Sequence, residues 1–246
     1  MAYSRAFFED QIASSRKSAD LIAGICQGLL QPRSVIDIGC GVGTWLAAFK
    51  ALGVADLAGY DGDWVDRELL QIPQEEFHAV DLNRRLNIGR RYDLALSLET
   101  AEHLPPQRGE TLIADLVALA PAVLFSAAIP HQGGTGHINE QWQDYWADLF
   151  ATHGYSAKDC IRPLVWGQSK GAMWYAQNTL LYVDESISVD CGDGLPLRIV
   201  HPDLYELRST PGMLTLGEVG RHIVPSARVY GRRHLGRMMR ALRRDR

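Results

Sequence analysis

The hydrophobic pattern alternates between two periods along most of the chain. From Phe7 to Leu30 apolar residues recur at helical spacing, interrupted by Ser14, Ser15 and Ser18, and Pro32 closes the segment. Ser34–Ile38 is a short β-branched run ending at Gly39, which predicts a buried strand. Thr44–Leu52 reads as a helix closed by Gly53. Strands follow at Asp56–Tyr60, Glu76–Val80, Tyr92–Ser97 and Ala122–Ala128, with a helix near Gly109–Ala120. Glu140–Thr152 predicts a helix closed by Gly154, and Tyr155–Ile161 and Asn178–Val183 predict two last strands. Strands and helices alternating at short intervals predict an α/β fold, a mostly parallel sheet with helices on both faces. After Val183 the pattern loosens. Residues 184–220 read as an irregular extension with short strands and with turns at Cys191-Gly-Asp-Gly and His201-Pro-Asp.

Length and composition narrow the class. A chain of 246 residues with 46% hydrophobic types can bury a large core. The longest apolar stretch, Thr111–Pro130, contains Asp115 and Pro121, so it reads as helix then strand rather than as a membrane span. Met1–Asp10 lacks an apolar signal core, which predicts no export. The cysteines at 26, 40, 160 and 191 are scattered without a Cys-x-x-Cys pair. That argues against a zinc ribbon and fits a reducing cytoplasm.

Charge is split. The formal net charge is −4, but residues 221–246 carry nine Arg and one Asp, a net of +8, which leaves −12 on residues 1–220. An acidic body makes nucleic acid an unfavoured partner. Leu235, Met238, Met239 and Leu242 repeat at i, i+3, i+4 and i+7 among arginines, which predicts a short basic amphipathic helix weakened by Gly231 and Gly236. Such a tail is compatible with a solvated or disordered terminus, with peripheral contact on an anionic membrane, with docking on the acidic body of another subunit, and with a grip on RNA phosphates.

The first chemical signal is Val35-Ile-Asp-Ile-Gly-Cys-Gly-Val-Gly43, a strand entering a glycine-rich turn before a helix. Glycines there permit close backbone approach to a ligand, and Asp61 lies twenty residues past Gly41, placed to accept hydrogen bonds from ribose hydroxyls. A dinucleotide fingerprint would need glycine at position 44, where this chain has Thr44. The Asp-x-Gly-x-Gly-x-Gly order instead resembles motif I of class I, Rossmann-like, S-adenosylmethionine (AdoMet) methyltransferases. Gly59-Tyr-Asp-Gly-Asp63 resembles their ribose-binding motif, Ala79-Val-Asp-Leu82 their following acidic loop, and Tyr92-Asp-Leu-Ala-Leu-Ser-Leu-Glu99 their motif IV. The resemblance covers about residues 30–185. It implies a seven-stranded sheet with an antiparallel last strand. It also implies an AdoMet site at Asp37, Gly39, Gly41, Gly43, Asp61, Gly62, Asp81, Leu82 and Ser97, with Asp37 near the cationic methionine end and Asp81 at the adenine amino group.

The second signal is Glu99-Thr-Ala-Glu-His103, whose acidic and basic side chains share one face if the segment turns helically before Pro105 and Pro106. Pro130-His-Gln-Gly-Gly-Thr-Gly-His-Ile-Asn-Glu140 brings His131, His137, Asn139 and Glu140 to the same sheet edge on a glycine-rich loop. The Glu-x-x-Glu-His run resembles signatures of ubiquinone-biosynthesis O-methyltransferases and of small-RNA 2′-O-methyltransferases, and the latter resemblance implies a divalent metal. Two carboxylates with imidazoles suit Mg²⁺ or Mn²⁺. The metal set is therefore Glu99, Glu102, His103 and His137. A metal-free reading keeps His103, His131 or His137 as a general base.

Trp142, Tyr145 and Trp146, with Trp166, Trp174 and Tyr175, offer aromatic faces for a sugar or flat ring, though core packing explains at least half of them. Residues 127–155 resemble bacterial methyltransferases associated with glycan and natural-product tailoring. Four parts are expected: a helical segment at 1–32, the AdoMet-binding domain at 33–185, an irregular extension at 186–228 and the basic tail at 229–246. The activity expected is O-methylation of a small-molecule or glycan hydroxyl in the cytoplasm. RNA 2′-O-methylation and a non-catalytic AdoMet-binding scaffold stand as alternatives.

Overall fold

A computed structural model describes residues 5–168, 173–191 and 194–209. The basic helix expected at 229–246 lies outside them, as does part of the turn expected at Cys191. Seven strands form one sheet: β1 Ser34–Ile38, β2 Asp56–Asp61, β3 Phe77–Ala79, β4 Leu94–Leu98, β5 Ala122–Ser126, β6 Ser156–Lys158 and β7 Leu180–Val183. Their order is β3-β2-β1-β4-β5-β7-β6. The pairs from β3 to β5 are parallel, and β7 runs antiparallel to both β5 and β6. The chain therefore builds leftward from β1 and then rightward from β4. The switch between β1 and β4 opens the crevice where open α/β sheets bind ligands.

Strand composition follows from burial on both faces. Alternate residues divide between two cores, as a two-residue period requires. Val35, Leu94, Leu96, Leu124 and Leu181 pack with α1 Arg5–Leu30 and α2 Thr44–Ala51. Ile36, Ala95, Val123, Phe125 and Tyr182 pack with α3 Pro106–Leu119 and α4 Gln143–Thr152. On α1 the buried residues Ala19, Ile22, Ala23 and Cys26 fall at i, i+3, i+4 and i+7, the stripe its spacing predicts. Trp146 and Tyr175 are buried, so these two aromatics belong to the core. No described helix is long and apolar enough to cross a membrane.

Several elements differ from the sequence expectation. Pro106 opens α3 rather than merely ending the preceding turn, because proline fits the first helical position, where its missing N–H has no partner to lose. Glu140 and Gln141 lie outside the helix, Trp142 is extended, and α4 begins at Gln143. Short helices α5 Arg162–Val165 and α6 Met173–Asn178 occupy the span between the last two strands, too short for a periodic signal. Among the described residues no strand follows Val183, and His201-Pro-Asp leads into a helix, α7 Pro202–Ser209.

The segment after β7 is held by polar contacts rather than by sheet pairing. Arg162 is fully buried and meets Asp159 through Nε–Oδ1 at 2.9 Å and Nη2–Oδ2 at 2.8 Å. It also donates to the carbonyls of Leu195, Pro196 and Leu197. Cys160 and Cys191 are joined in a disulfide. Two of the four scattered cysteines are thus paired in space across 31 residues, while Cys26 and Cys40 are free and buried, and the pair withdraws cysteine scarcity as support for a reducing compartment.

Candidate functional site

The loop after β1 has the conformation its glycines predict. Gly39, Gly41 and Gly43 take φ of 85°, 53° and 83°, the left-handed region that side chains disfavour. A Cβ on Gly39 would lie 2.2 Å from Thr100 Oγ1, and one on Gly43 would lie 2.8 Å from Ile72. The first contact joins the loop after β1 to the segment after β4, across the switch point. Asp61, at the end of β2, accepts from Gly41 N at 2.7 Å through Oδ2 and from Gly62 N at 2.6 Å through Oδ1. The acid thus shapes the loop, and Gly62 lies against the Trp64 ring, leaving no room for a side chain.

Asp37 is buried on β1, and its Oδ2 has no hydrogen-bond partner. Burial, then the charge of Asp61, pushes its carboxyl up to about 8. Burial also raises Asp61, opposed by the two backbone N–H groups. Ser97 is buried on β4 with an unpartnered Oγ. Leu82 is buried, and its carbonyl accepts from Arg108 Nε at 2.6 Å. Asp81 is exposed and closes a turn on Asn83 through Oδ1, whose hydrogen bonds hold its carboxyl below the usual range. Asp37, the glycine loop, Asp61, Gly62 and Ser97 therefore gather at the ends of β1, β2 and β4, while Asp81 and Leu82 lie on the loop after β3.

The segment after β4 turns as a 3-10 helix over Ala101–His103. Glu99 precedes it at φ 51°, a strained setting for a residue with a side chain. Its carboxylate accepts from Gln132 Nε2 at 2.8 Å and Asn178 Nδ2 at 3.1 Å. Glu102 is fully buried, and neither of its oxygens has a partner at hydrogen-bond geometry, although the Ala128 backbone N–H and the Glu99 carboxyl lie near enough to act on it. Burial, followed by the charge of Glu99, pushes its carboxyl well above the usual range. His103 Nδ1 is likewise buried and unpartnered, and burial followed by His137 lowers the ring to about 4.

The glycine-rich loop after β5 is clipped to this turn. Ile138 N and Asn139 N both donate to the Glu102 carbonyl, at 2.9 and 3.1 Å. That places the His137 ring 4.9 Å from the His103 ring, edge to face. One donor atom from each of Glu102, His103 and His137 lies within 4.8 Å of the other two. Two imidazoles and a carboxylate with unused donors suit a divalent cation of the Mg²⁺, Mn²⁺ or Zn²⁺ kind. Glu99 stands beside Glu102 but spends its oxygens on the two amides, and it is not one of the three. His131 is exposed at φ 70°, with its backbone N–H on Glu140 Oε2, and it is also outside the group.

The amides are the part that the sequence did not single out. Gln132, Gln177 and Asn178 are buried and linked to one another and to Glu99. Gln177 also accepts from His201 N at 2.7 Å, tying the segment after β7 to the same network. Their one local signal is two adjacent amides, Gln177-Asn178, just ahead of an apolar strand.

Comparison with known proteins agrees with this architecture. The family model described as a methyltransferase domain matches residues 9–159, more than half of the chain. None of the curated proteins matches the sequence. An O-methyltransferase family protein from Burkholderia thailandensis superposes with a TM-score of 0.53 at 16% identity, over 73% of this chain and 58% of that one. The chain therefore spans little more than half of that protein. Streptomyces venezuelae DesVI gives 0.56 at 15% identity, over 75% of this chain and 100% of that one. CalS10, an amino pentose methyltransferase from Micromonospora echinaspora, gives 0.53 at 14% identity, over 74% and 97%. At these identities the likeness speaks for the fold alone.

Proposed function

We infer the reaction from one premise: the chain belongs to the methyltransferase-domain family. It is a methyltransferase, and the reading its geometry supports best is transfer of the AdoMet methyl group to a hydroxyl of a small-molecule or glycan acceptor, assisted by a divalent cation. One observation carries this reading. The glycine loop and the Glu102–His103 turn touch through Gly39 and Thr100, so a methyl donor on one and a cation on the other would share one crevice.

Glu102, His103 and His137 would hold the cation, with Glu99 beside them as the second carboxylate. A bound cation would lower the pKa of an acceptor hydroxyl and orient it. The chain's own residues do the rest. The loop from Gly39 to Gly43 brings backbone close to the donor, Asp61 offers its carboxylate to the ribose, and Asp37 faces the cationic methionine end. The turn after β4 sets the line of approach between acceptor and methyl, the term that positioning can lower most. Hydroxyl acceptors gain more from cation or base assistance than amines do, which favours oxygen.

The test is transfer of labelled methyl from AdoMet to a panel of sugars and hydroxylated aromatics, with and without chelator. The expected result is a product whose formation stops on chelation and returns with Mg²⁺ or Mn²⁺. Transfer that is indifferent to chelation would leave His103, His131 or His137 as a general base and end the cation reading. AdoMet binding with no transfer across the panel would favour a scaffold.

Asp37 makes the cofactor step pH-dependent. Below about pH 8 the free protein holds Asp37 protonated, and a cationic ligand needs it ionised. Affinity for S-adenosylhomocysteine, which keeps the methionine ammonium, should climb by up to about tenfold per pH unit from 6 to 8 and then level off. The stability sign is opposite. The folded pKa lies above the unfolded one, so the stabilisation is complete at low pH and is lost as pH rises through about 8. The melting temperature of the free protein should therefore fall from pH 6 to 9, and Asp37→Asn should flatten both curves. An affinity for S-adenosylhomocysteine that does not change with pH would contradict this role.

A further inference from the structure

Glu140 makes three polar contacts around one histidine loop, and the reaction above uses none of them. Oε2 accepts from His131 N at 2.8 Å. Oε1 accepts from Gly133 N at 3.0 Å and lies 3.0 Å from His137 Nδ1. The loop 131–137 is thus folded around a single carboxylate. Gly134 completes the box, since a Cβ there would lie 2.2 Å from His137 Nε2, so the ring packs directly on the loop backbone.

A neutral imidazole carries its proton on one nitrogen, and the hydrogen bond at the other decides which. Both Glu140 oxygens already accept a backbone N–H, so a carboxylate engaged in this way has only lone pairs to offer Nδ1. The ring must be the donor. We propose that Glu140 is the positioning residue of this site: it holds His137 as the Nδ1–H tautomer and leaves the ring's one lone pair on Nε2, the only nitrogen of that ring then able to bind a cation or take an acceptor proton. A carboxylate behind a metal-binding imidazole fixes the ring's orientation and raises its basicity. The cation part rests on the reading above; the tautomer does not.

Two measurements on the full chain keep the two claims apart. In ¹⁵N-labelled protein without added metal, long-range ¹H–¹⁵N correlations report the tautomer, with the His137 signals identified by their loss in His137→Gln. The expected pattern is a protonated Nδ1, and a protonated Nε2 would overturn the proposal. Mn²⁺ is then titrated by electron paramagnetic resonance into the wild type, Glu140→Gln and Glu140→Ala. Both variants should bind roughly 10–100-fold more weakly. Wild-type affinity in both would overturn the proposal. A wild type that binds no Mn²⁺ would end the cation reading alone, and the tautomer pattern would then decide the role of Glu140. Glu140→Gln keeps the size and one acceptor oxygen, so it guards against a fold defect in Glu140→Ala.

Discussion

Gly39→Ala should weaken S-adenosylhomocysteine binding at least about 100-fold, the scale of a displacement of about 1 Å at a positioned site. Two causes act together. At φ 85° a side chain is strained by about 1–2 kcal/mol. The new Cβ would also stand 2.2 Å from Thr100 Oγ1 and 2.4 Å from its Cγ2, on a short side chain with little room to retreat. The loop must therefore move away from β4, carrying Gly41 off Asp61. The melting temperature should drop by about 2–4 °C for each kcal/mol of strain. Gly39→Ala combined with Thr100→Ala removes both nearest atoms and should recover part of the affinity, though not the φ strain. A double variant that binds no better than the single one would show that the loop does not lean on the turn after β4. Isothermal titration and thermal melts of the three proteins decide it.

Glu102→Leu should separate stability from function in opposite directions. The native carboxyl is fully buried with neither oxygen partnered at hydrogen-bond geometry, an arrangement that costs about 1–3 kcal/mol. Leucine is of similar size and has no polar atom to desolvate, so the variant should melt higher, by about 2–4 °C per kcal/mol. Methyl transfer should fall by roughly 10²–10³ or more, as when a charge-stabilising group is removed from a site, and Mn²⁺ binding should be lost. Glu102→Gln, which leaves a buried amide unsatisfied, should lose the cation without the gain in stability. A lower melting temperature in Glu102→Leu with transfer retained would make Glu102 a structural residue. Natural chains keep such groups where function outweighs stability.

What the sequence made legible was local. The glycine loop is a contiguous strand, turn and helix, and its positive-φ positions carry glycine in the text itself. The turn from Glu99 to His103 was visible from spacing, and so were both histidine-bearing loops. Burial of β1 was visible too, from the β-branched run Ser34–Ile38. Long-range pairing was not legible. Glu99 accepts from Asn178, 79 residues away, and from Gln132 on another loop. No periodicity foretells either contact. His131 and His137 look alike in the sequence, but Glu140 binds the backbone of one and the ring of the other. The disulfide and the buried Arg162 anchor are contacts of the same long-range kind: they tie Cys191 and Leu195 to the segment just after β6 without any strand pattern.

The central claim is that donor and cation share one crevice between β1 and β4. The most direct test uses AdoMet labelled with ¹³C at its transferable methyl, bound to the protein and titrated with Mn²⁺. Paramagnetic relaxation by a cation on Glu102, His103 and His137 should broaden the bound methyl resonance beyond detection in the wild type and leave it sharp in Glu102→Leu. A bound methyl resonance that stays sharp in the wild type at saturating Mn²⁺ would contradict the claim.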